Sequence, residues 1–150
     1  GTSIEEYNEV INTNLLSSFY LLSTFAKRMK NGSALFFSSV AASLGLSNHE
    51  VISAAKSGIE GFVRSAAATY SKDNLRINAI APSIMDSNMS KKILSTEQAI
   101  EISKSMHPIP KIGTYNDILP VVRWLMSNDA DWVTGQTINI DGGLSKIKPR

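Results

Sequence analysis

The sequence predicts an α/β protein in which a parallel sheet is covered by helices on both faces. Three observations carry this prediction. Short apolar runs hemmed by polar residues alternate with long stretches of helical periodicity. Each passage from one short run to the next contains a helix, the crossover that parallel strands need. The 150 residues are also ordinary globular material, 43% hydrophobic and 19% charged, enough for one domain with a sizeable core.

In chain order, Thr2 or Ser3 followed three residues later by Glu5 or Glu6 forms a capping box, so a helix starts at once. Apolar residues recur at helical spacing through Tyr7, Val10, Ile11, Leu15, Phe19, Leu22 and Phe25. The run is expected to stop at Met29-Lys30-Asn31-Gly32, with lysine in the last turn and glycine just beyond. Residues 33–38 (SALFFS) read as a buried strand. Ser47-Asn48-His49-Glu50 reads as a second capping box, opening an alanine-rich helix to about Tyr70. Residues 71–74 form a turn, and residues 75–81 (LRINAIA) a strand stopped by Pro82. Residues 83–112 hold helical stretches without a clean strand. A helix from about Asn116 to Met126 and a last strand over 136–140 precede Asp141-Gly142-Gly143.

Composition narrows the function. A net charge of +2 gives no case for nucleic acid or an anionic membrane, and the basic residues within 146–150 read as a solvated tail. With no cysteine there are no disulfides or thiolate metal sites, which suits a reducing compartment. No metal-ligand spacing and no nucleophile elbow occurs. No apolar run has the length of a membrane span, and the first residues lack a signal peptide's pattern, so a soluble cytoplasmic protein is expected. The opening Gly1-Thr2-Ser3, without methionine, reads as the start of a fragment.

Five blocks carry the chemistry. They are residues 10–15 (VINTNL), 36–41 (FFSSVA), 52–59 (ISAAKSGI) and 76–87 (RINAIAPSIMDS), then Ile112-Gly113 with Asp117-Ile118 and residues 134–143 (TGQTINIDGG). In order and spacing they resemble the carboxy-terminal two-thirds of a short-chain dehydrogenase/reductase, over residues 7–144. The resemblance implies a Rossmann-like doubly wound parallel sheet of which only the carboxy-terminal part is present, the first βαβ units being absent. Residues 1–150 would then be one portion of a single NAD(P)-binding domain.

The same resemblance implies residue roles. Asn14 falls on the family's asparagine, which kinks the long helix and holds a water in a proton relay; Asn12 competes for that role. Ser39 lies thirteen residues before Ile52, the family's serine-to-tyrosine separation, and would bond the substrate oxygen. A serine that merely satisfies backbone at a strand end is the alternative. Lys56 takes the place of the lysine in Tyr-x-x-x-Lys, but Ile52 stands where the tyrosine belongs. In the family that lysine bonds the nicotinamide ribose and lowers the phenol's pKa. Positions 52 and 56 are about one turn apart on one helical face, and an isoleucine has no proton to give.

His49 shares that face and titrates near neutrality, so it is the local candidate for the missing acid. Against it, the first turn of a helix disfavours imidazolium, and His49 is one turn, about 5 Å, from the tyrosine's place. Solvent exposure beside a helix cap is its alternative reading. Tyr7, Tyr20, Tyr70 and Tyr115 match no catalytic spacing, and Tyr20 and Tyr70 read as helix-face packing.

By the resemblance, Pro82, the Met85 backbone and the Ser87 hydroxyl would meet the cofactor, NAD or NADP. Ser83 replaces the glycine that usually follows the proline, and Asn78 reads as structural. No glycine-rich turn is present, so these residues hold only the nicotinamide half of such a site. The closing block is expected to pack rather than react, with Trp124 and Trp132 in a core or an interface.

The function so implied is an NAD(P)-dependent oxidoreductase interconverting a carbonyl and an alcohol. The alternative is a dinucleotide-binding protein without turnover. The implied partners are a small-molecule carbonyl or alcohol and further copies of the chain, as homodimer or homotetramer, with the helices around Phe19 and Phe62 at one interface. No nucleic acid, membrane or metal is expected. Met85, Met89, Ile93 and Met106 in the mixed segment hint at an apolar ligand, though methionines on amphipathic helices also serve cores.

Overall fold

The structure, a computed structural model, describes residues 3–148. The Thr2 form of the first capping box and the last two residues of the basic tail therefore lie outside the described residues. Ser3 caps helix α1 (Ile4–Ile11): its hydroxyl accepts from the Glu6 amide, and the Glu6 carboxylate accepts from the Ser3 amide. The helical run then passes through one π-helical turn, Asn12–Leu16, into α2 (Ser17–Phe25). It ends in a tight turn, Ala26–Arg28. The left-handed residue after it is Asn31 (φ 57°), not Gly32. Gly32 serves another need, because a Cβ there would stand 2.8 Å from the Met29 carbonyl oxygen.

Strand β1 (Ser33–Phe37) leads to α3 (Glu50–Tyr70), which returns the chain to β2 (Arg76–Pro82). Helices α4 (Glu97–Ser105) and α5 (Tyr115–Met126) precede β3 (Thr137–Ile140). The three strands form one parallel sheet in the order β1-β2-β3. Register runs from Ser33 opposite Arg76 to Phe37 opposite Ile80, and from Ala79 opposite Thr137 to Pro82 opposite Ile140. The central strand is correspondingly a nearly unbroken apolar run, as a strand covered on both faces must be.

Strand alternation divides the core in two. On one face, α2 and α3 bury Leu22, Ile59, Val63 and Ala67 against Ala34, Phe36, Ile77 and Ala79. On the other, Ile118 and Leu125 of α5 pack on Leu35, Ile80, Ile138 and Ile140. The doubly wound α/β fold predicted from the sequence is thus present. The exception in β2 is the fully buried Asn78, whose amide donates to the Val133 carbonyl (2.9 Å) and accepts from the Gln136 amide (3.0 Å). It splices the approach to β3 onto β2, the structural role expected for it. Gly58 lets the π turn press onto α3, since a Cβ there would be 2.8 Å from a Leu15 methyl carbon.

Other expectations are corrected. No capping box opens α3: its first residue is Glu50, its cap is His49, and no side chain bonds the first-turn amides. Asn48 is left-handed (φ 60°), which breaks the helical path before the frame the box requires. Tyr20 is 70% exposed and does not pack in the core, whereas Tyr70 does pack against it; Trp132, 97% exposed, is outside the core, which leaves the interface half of its expectation. Met89, Ile93 and Met106 are exposed as well, and of the four apolar residues only Met85 joins the core. Among the described residues no helix is long and apolar enough to cross a membrane.

Candidate functional site

Ligands of open parallel sheets bind beyond the carboxyl ends of the strands, and Ser39, Lys56 and Pro82 of the sequence-predicted residues lie at those ends. The Ser38 amide donates to the Ile80 carbonyl (2.8 Å), carrying the β1–β2 ladder one residue past Phe37. Ser38 is buried and its hydroxyl faces α3, where the Glu60 carboxylate accepts at 2.8 Å and the Lys56 carbonyl lies at 3.3 Å. From the same helix, Lys56 Nζ donates to the Phe37 carbonyl at 2.9 Å. One turn of α3 is thus laced to the last residues of β1 at two points. The ammonium is half-buried, and desolvation holds its pKa below the ordinary lysine value.

Ser38→Ala tests this lacing. It removes the one donor found for the Glu60 carboxylate among the described residues and is expected to cost about 1–3 kcal/mol. Denaturant unfolding would measure it; a change under about 0.5 kcal/mol would show that the lacing contributes nothing to stability.

Ser39 follows in extended conformation (φ −159°) and caps a short turn, Val40–Ala42, its Oγ accepting from the Ala41 amide at 3.2 Å. Accepting that bond leaves its own O–H to donate outward. The capping role also shows that the alternative, a serine satisfying backbone, is realised here. Both functions fit one hydroxyl.

Ile52 is half-buried on α3, one turn before Lys56. His49, the cap residue of α3, has Nδ1 2.8 Å from the Ser47 carbonyl. A carbonyl only accepts, so Nδ1 carries the hydrogen and Nε2 is the nitrogen left to exchange a proton. Asn14 lies inside the π turn and is half-buried, its amide donating to the Val10 carbonyl at 3.0 Å, while Asn12 is exposed. A π turn is a recognised cause of a bent helix, and it sits at the asparagine singled out from the sequence.

Pro82 ends β2. Beyond it the chain is pinned to the segment before α5: the Gly113 amide donates to Ile84 (3.1 Å) and the Asp86 amide to Gly113 (2.8 Å). Ser90, which is buried, donates to the Met85 carbonyl and accepts from the Ser87 amide at 3.1 Å. The Ser87 hydroxyl lies 3.3 Å from that of Ser90. Met85 and Ser87 are therefore held by a serine that the sequence reading did not single out. At the same segment, Lys111 and the Thr114 capping group draw the Asp117 carboxyl down to about 2.

Glu60 was also missed, although a signal existed: it lies four residues after Lys56, as Ile52 lies four before. Among the described residues no cluster of metal-ligating side chains occurs.

A family model described as "Enoyl-(Acyl carrier protein) reductase" matches residues 1–145. A chloroplastic tropinone reductase homolog of Arabidopsis thaliana is 33% identical over 143 residues, covering 93% of this chain and 44% of that protein. A 3-oxoacyl-[acyl-carrier-protein] reductase of Buchnera aphidicola is 32% identical over 143 residues, covering 93% of this chain and 58% of its own length. The chain thus spans about half the length of these curated relatives. Among solved structures, aldohexose dehydrogenase of Thermoplasma acidophilum superposes with a TM-score of 0.91 at 27% identity, over 100% of this chain and 63% of the other. A 4-hydroxyisoleucine dehydrogenase complexed with NADH gives 0.93 at 26% identity, over 97% of this chain and 62% of the other.

Proposed function

Because the chain belongs to the short-chain dehydrogenase/reductase family, we propose that it is part of an NAD(P)-dependent oxidoreductase interconverting a carbonyl and an alcohol. Residues 1–150 form the carboxy-terminal portion of its single dinucleotide-binding domain. The observation that carries this reading is Lys56, bound to the Phe37 carbonyl at the end of β1, two residues before Ser39. Solved relatives complexed with NADP or NADH support the cofactor class.

The residues present suit the nicotinamide half of such a cofactor. Lys56 has three N–H donors, of which Phe37 takes one, leaving two for ribose hydroxyls. Pro82, the Met85 backbone and Ser87 would hold the carboxamide and pyrophosphate. When bound, the nicotinamide supplies or accepts the hydride. Ser39 donates its free O–H to the substrate oxygen and polarises the carbonyl. Asn14 holds a water of the proton path, and Lys56 stabilises negative charge as it develops on the substrate oxygen. Ile52 gives no proton, so water delivers it. The full-length protein acts as a homodimer or homotetramer, with the Phe19–Phe62 pair (ring centroids 4.5 Å apart) behind one interface.

The test is carbonyl-dependent oxidation of NADH and NADPH by the full-length protein, with cofactor binding measured on the same samples. Turnover supports the reading. Tight cofactor binding with no turnover across a broad carbonyl panel favours the second reading, a dinucleotide-binding sensor or scaffold, which Ile52 specifically supports.

His49 is the other source of a proton. With water as donor, His49→Ala leaves the pH–rate profile unchanged. A profile that flattens near neutrality in that variant reassigns the acid to His49.

A further inference from the structure

A second polar constellation lies at the carboxyl ends of β2 and β3. Ser83 follows Pro82, and its Oγ is 2.7 Å from Nε2 of His107. The other ring nitrogen, Nδ1, is 2.7 Å from the Ser103 carbonyl in the last turn of α4. A carbonyl only accepts, so Nδ1 carries the hydrogen, and the neutral ring offers the lone pair of Nε2 to the Ser83 hydroxyl. The imidazole is only 6% exposed and partnered at both nitrogens, so its orientation is fixed. A hydroxyl bonded to a base that a third group orients is the arrangement that activates a serine.

The pair lines a cavity of about 240 Å³ whose other walls include Ile84, Met85, Ile109 and Ile140, and to which neither Lys56 nor Ser39 contributes. The cavity thus shares Met85 with the cofactor-side segment but has neither Lys56 nor Ser39 in its wall. Its volume is below the roughly 300–1,000 Å³ of pockets that bury a drug-sized ligand, which limits any occupant to a short group. The charged residues around it are already engaged. Lys111 pairs with Asp117. Burial would raise the Asp141 carboxyl, but the Ser145 hydroxyl and amide and the Gly143 amide outweigh it and hold it below the usual carboxylate range. Among the described residues His107 is thus the one base in hydrogen-bond contact with Ser83.

We propose that Ser83 is a nucleophile toward short activated acyl esters, with His107 as its general base. Ser83 Oγ bonds to the acyl carbon as its proton passes to His107 Nε2. The bond to the leaving alcohol or thiol breaks, and that group departs with the proton. Water, deprotonated by the same nitrogen, then attacks the serine ester. This releases the carboxylic acid and restores the hydroxyl.

The experiment treats the full-length protein with a small dialkyl fluorophosphate. Oγ bonds to phosphorus, fluoride leaves, and the serine proton goes to His107. One adduct is expected, mapped to Ser83 by peptide mass spectrometry and absent from Ser83→Ala. Labelling in His107→Gln should slow by about 10²-fold or more, the least a positioned base usually contributes. Absence of an adduct on Ser83 in the folded protein overturns the proposal, as does an unchanged rate in His107→Gln. If Ser83→Ala fails to fold, the wild-type peptide map and the His107→Gln rate decide alone.

Discussion

Ile52→Tyr is expected to raise carbonyl reduction by about 10²–10⁴-fold, the range a positioned general acid contributes. Position 52 lies on α3 one turn before Lys56 and is half-buried, so a side chain there stands at the border of core and solvent. Tyrosine and isoleucine have similar helix propensities, so the exchange should not disturb the helix. The Lys56 ammonium, held on the Phe37 carbonyl, would favour the ionised phenol and bring its pKa toward the working range. The gain should appear in kcat/KM for NADH- or NADPH-dependent reduction, together with a new titration in the pH–rate profile. If cofactor still binds and the rate does not rise, position 52 does not face the substrate and the assigned cluster fails. If activity appears where the wild type has none, the natural protein is a binder that has kept its packing and lost its acid.

How far such a site can be read from sequence depends on how local its parts are. The strands were legible because a buried parallel strand needs an apolar run with polar ends, and residues 33–38 and 75–81 show this without any tertiary knowledge. Ser39, Ile52 and Lys56 were singled out by resemblance to the family's blocks, and only the one-turn relation of positions 52 and 56 follows from helical spacing. The π turn at Asn12–Leu16 was not, since the apolar spacing around it remains helical and only the position of Asn14 hinted at a bend. Tyr20 was misplaced: it sits about 200° around the helix from buried Leu22, on the opposite face. The box at residues 47–50 failed because its frame assumed that the helix begins two residues earlier than it does. His107 had no local signal, since its partner Ser83 lies 24 residues away and only the tertiary fold joins them.

Lys56→Met separates a residue kept for chemistry from one kept for packing. Methionine retains most of the apolar stem and removes the charge. Turnover should fall by at least about 10²-fold, with weaker cofactor binding, if Lys56 has the ribose-binding and charge-stabilising roles proposed for it. Stability should move the other way. Burial disfavours the ammonium in the folded chain, so its folded pKa lies below the ordinary 10.5 of the unfolded chain. Below the folded pKa lysine is charged in both states, and folding carries the full desolvation cost. As pH rises from the folded pKa toward 10.5, the unfolded chain binds more protons than the folded one, and wild-type stability increases. Above the unfolded pKa the cost is gone. Lys56→Met should therefore be at least as stable as wild type at pH 7, with its advantage shrinking as pH climbs through that window. Denaturant unfolding of both proteins at several pH values would read this difference directly. A variant that loses activity and stability together at pH 7 would make Lys56 a structural brace between α3 and β1. An unstable active site traded for chemistry shows the opposite split: activity lost, stability kept.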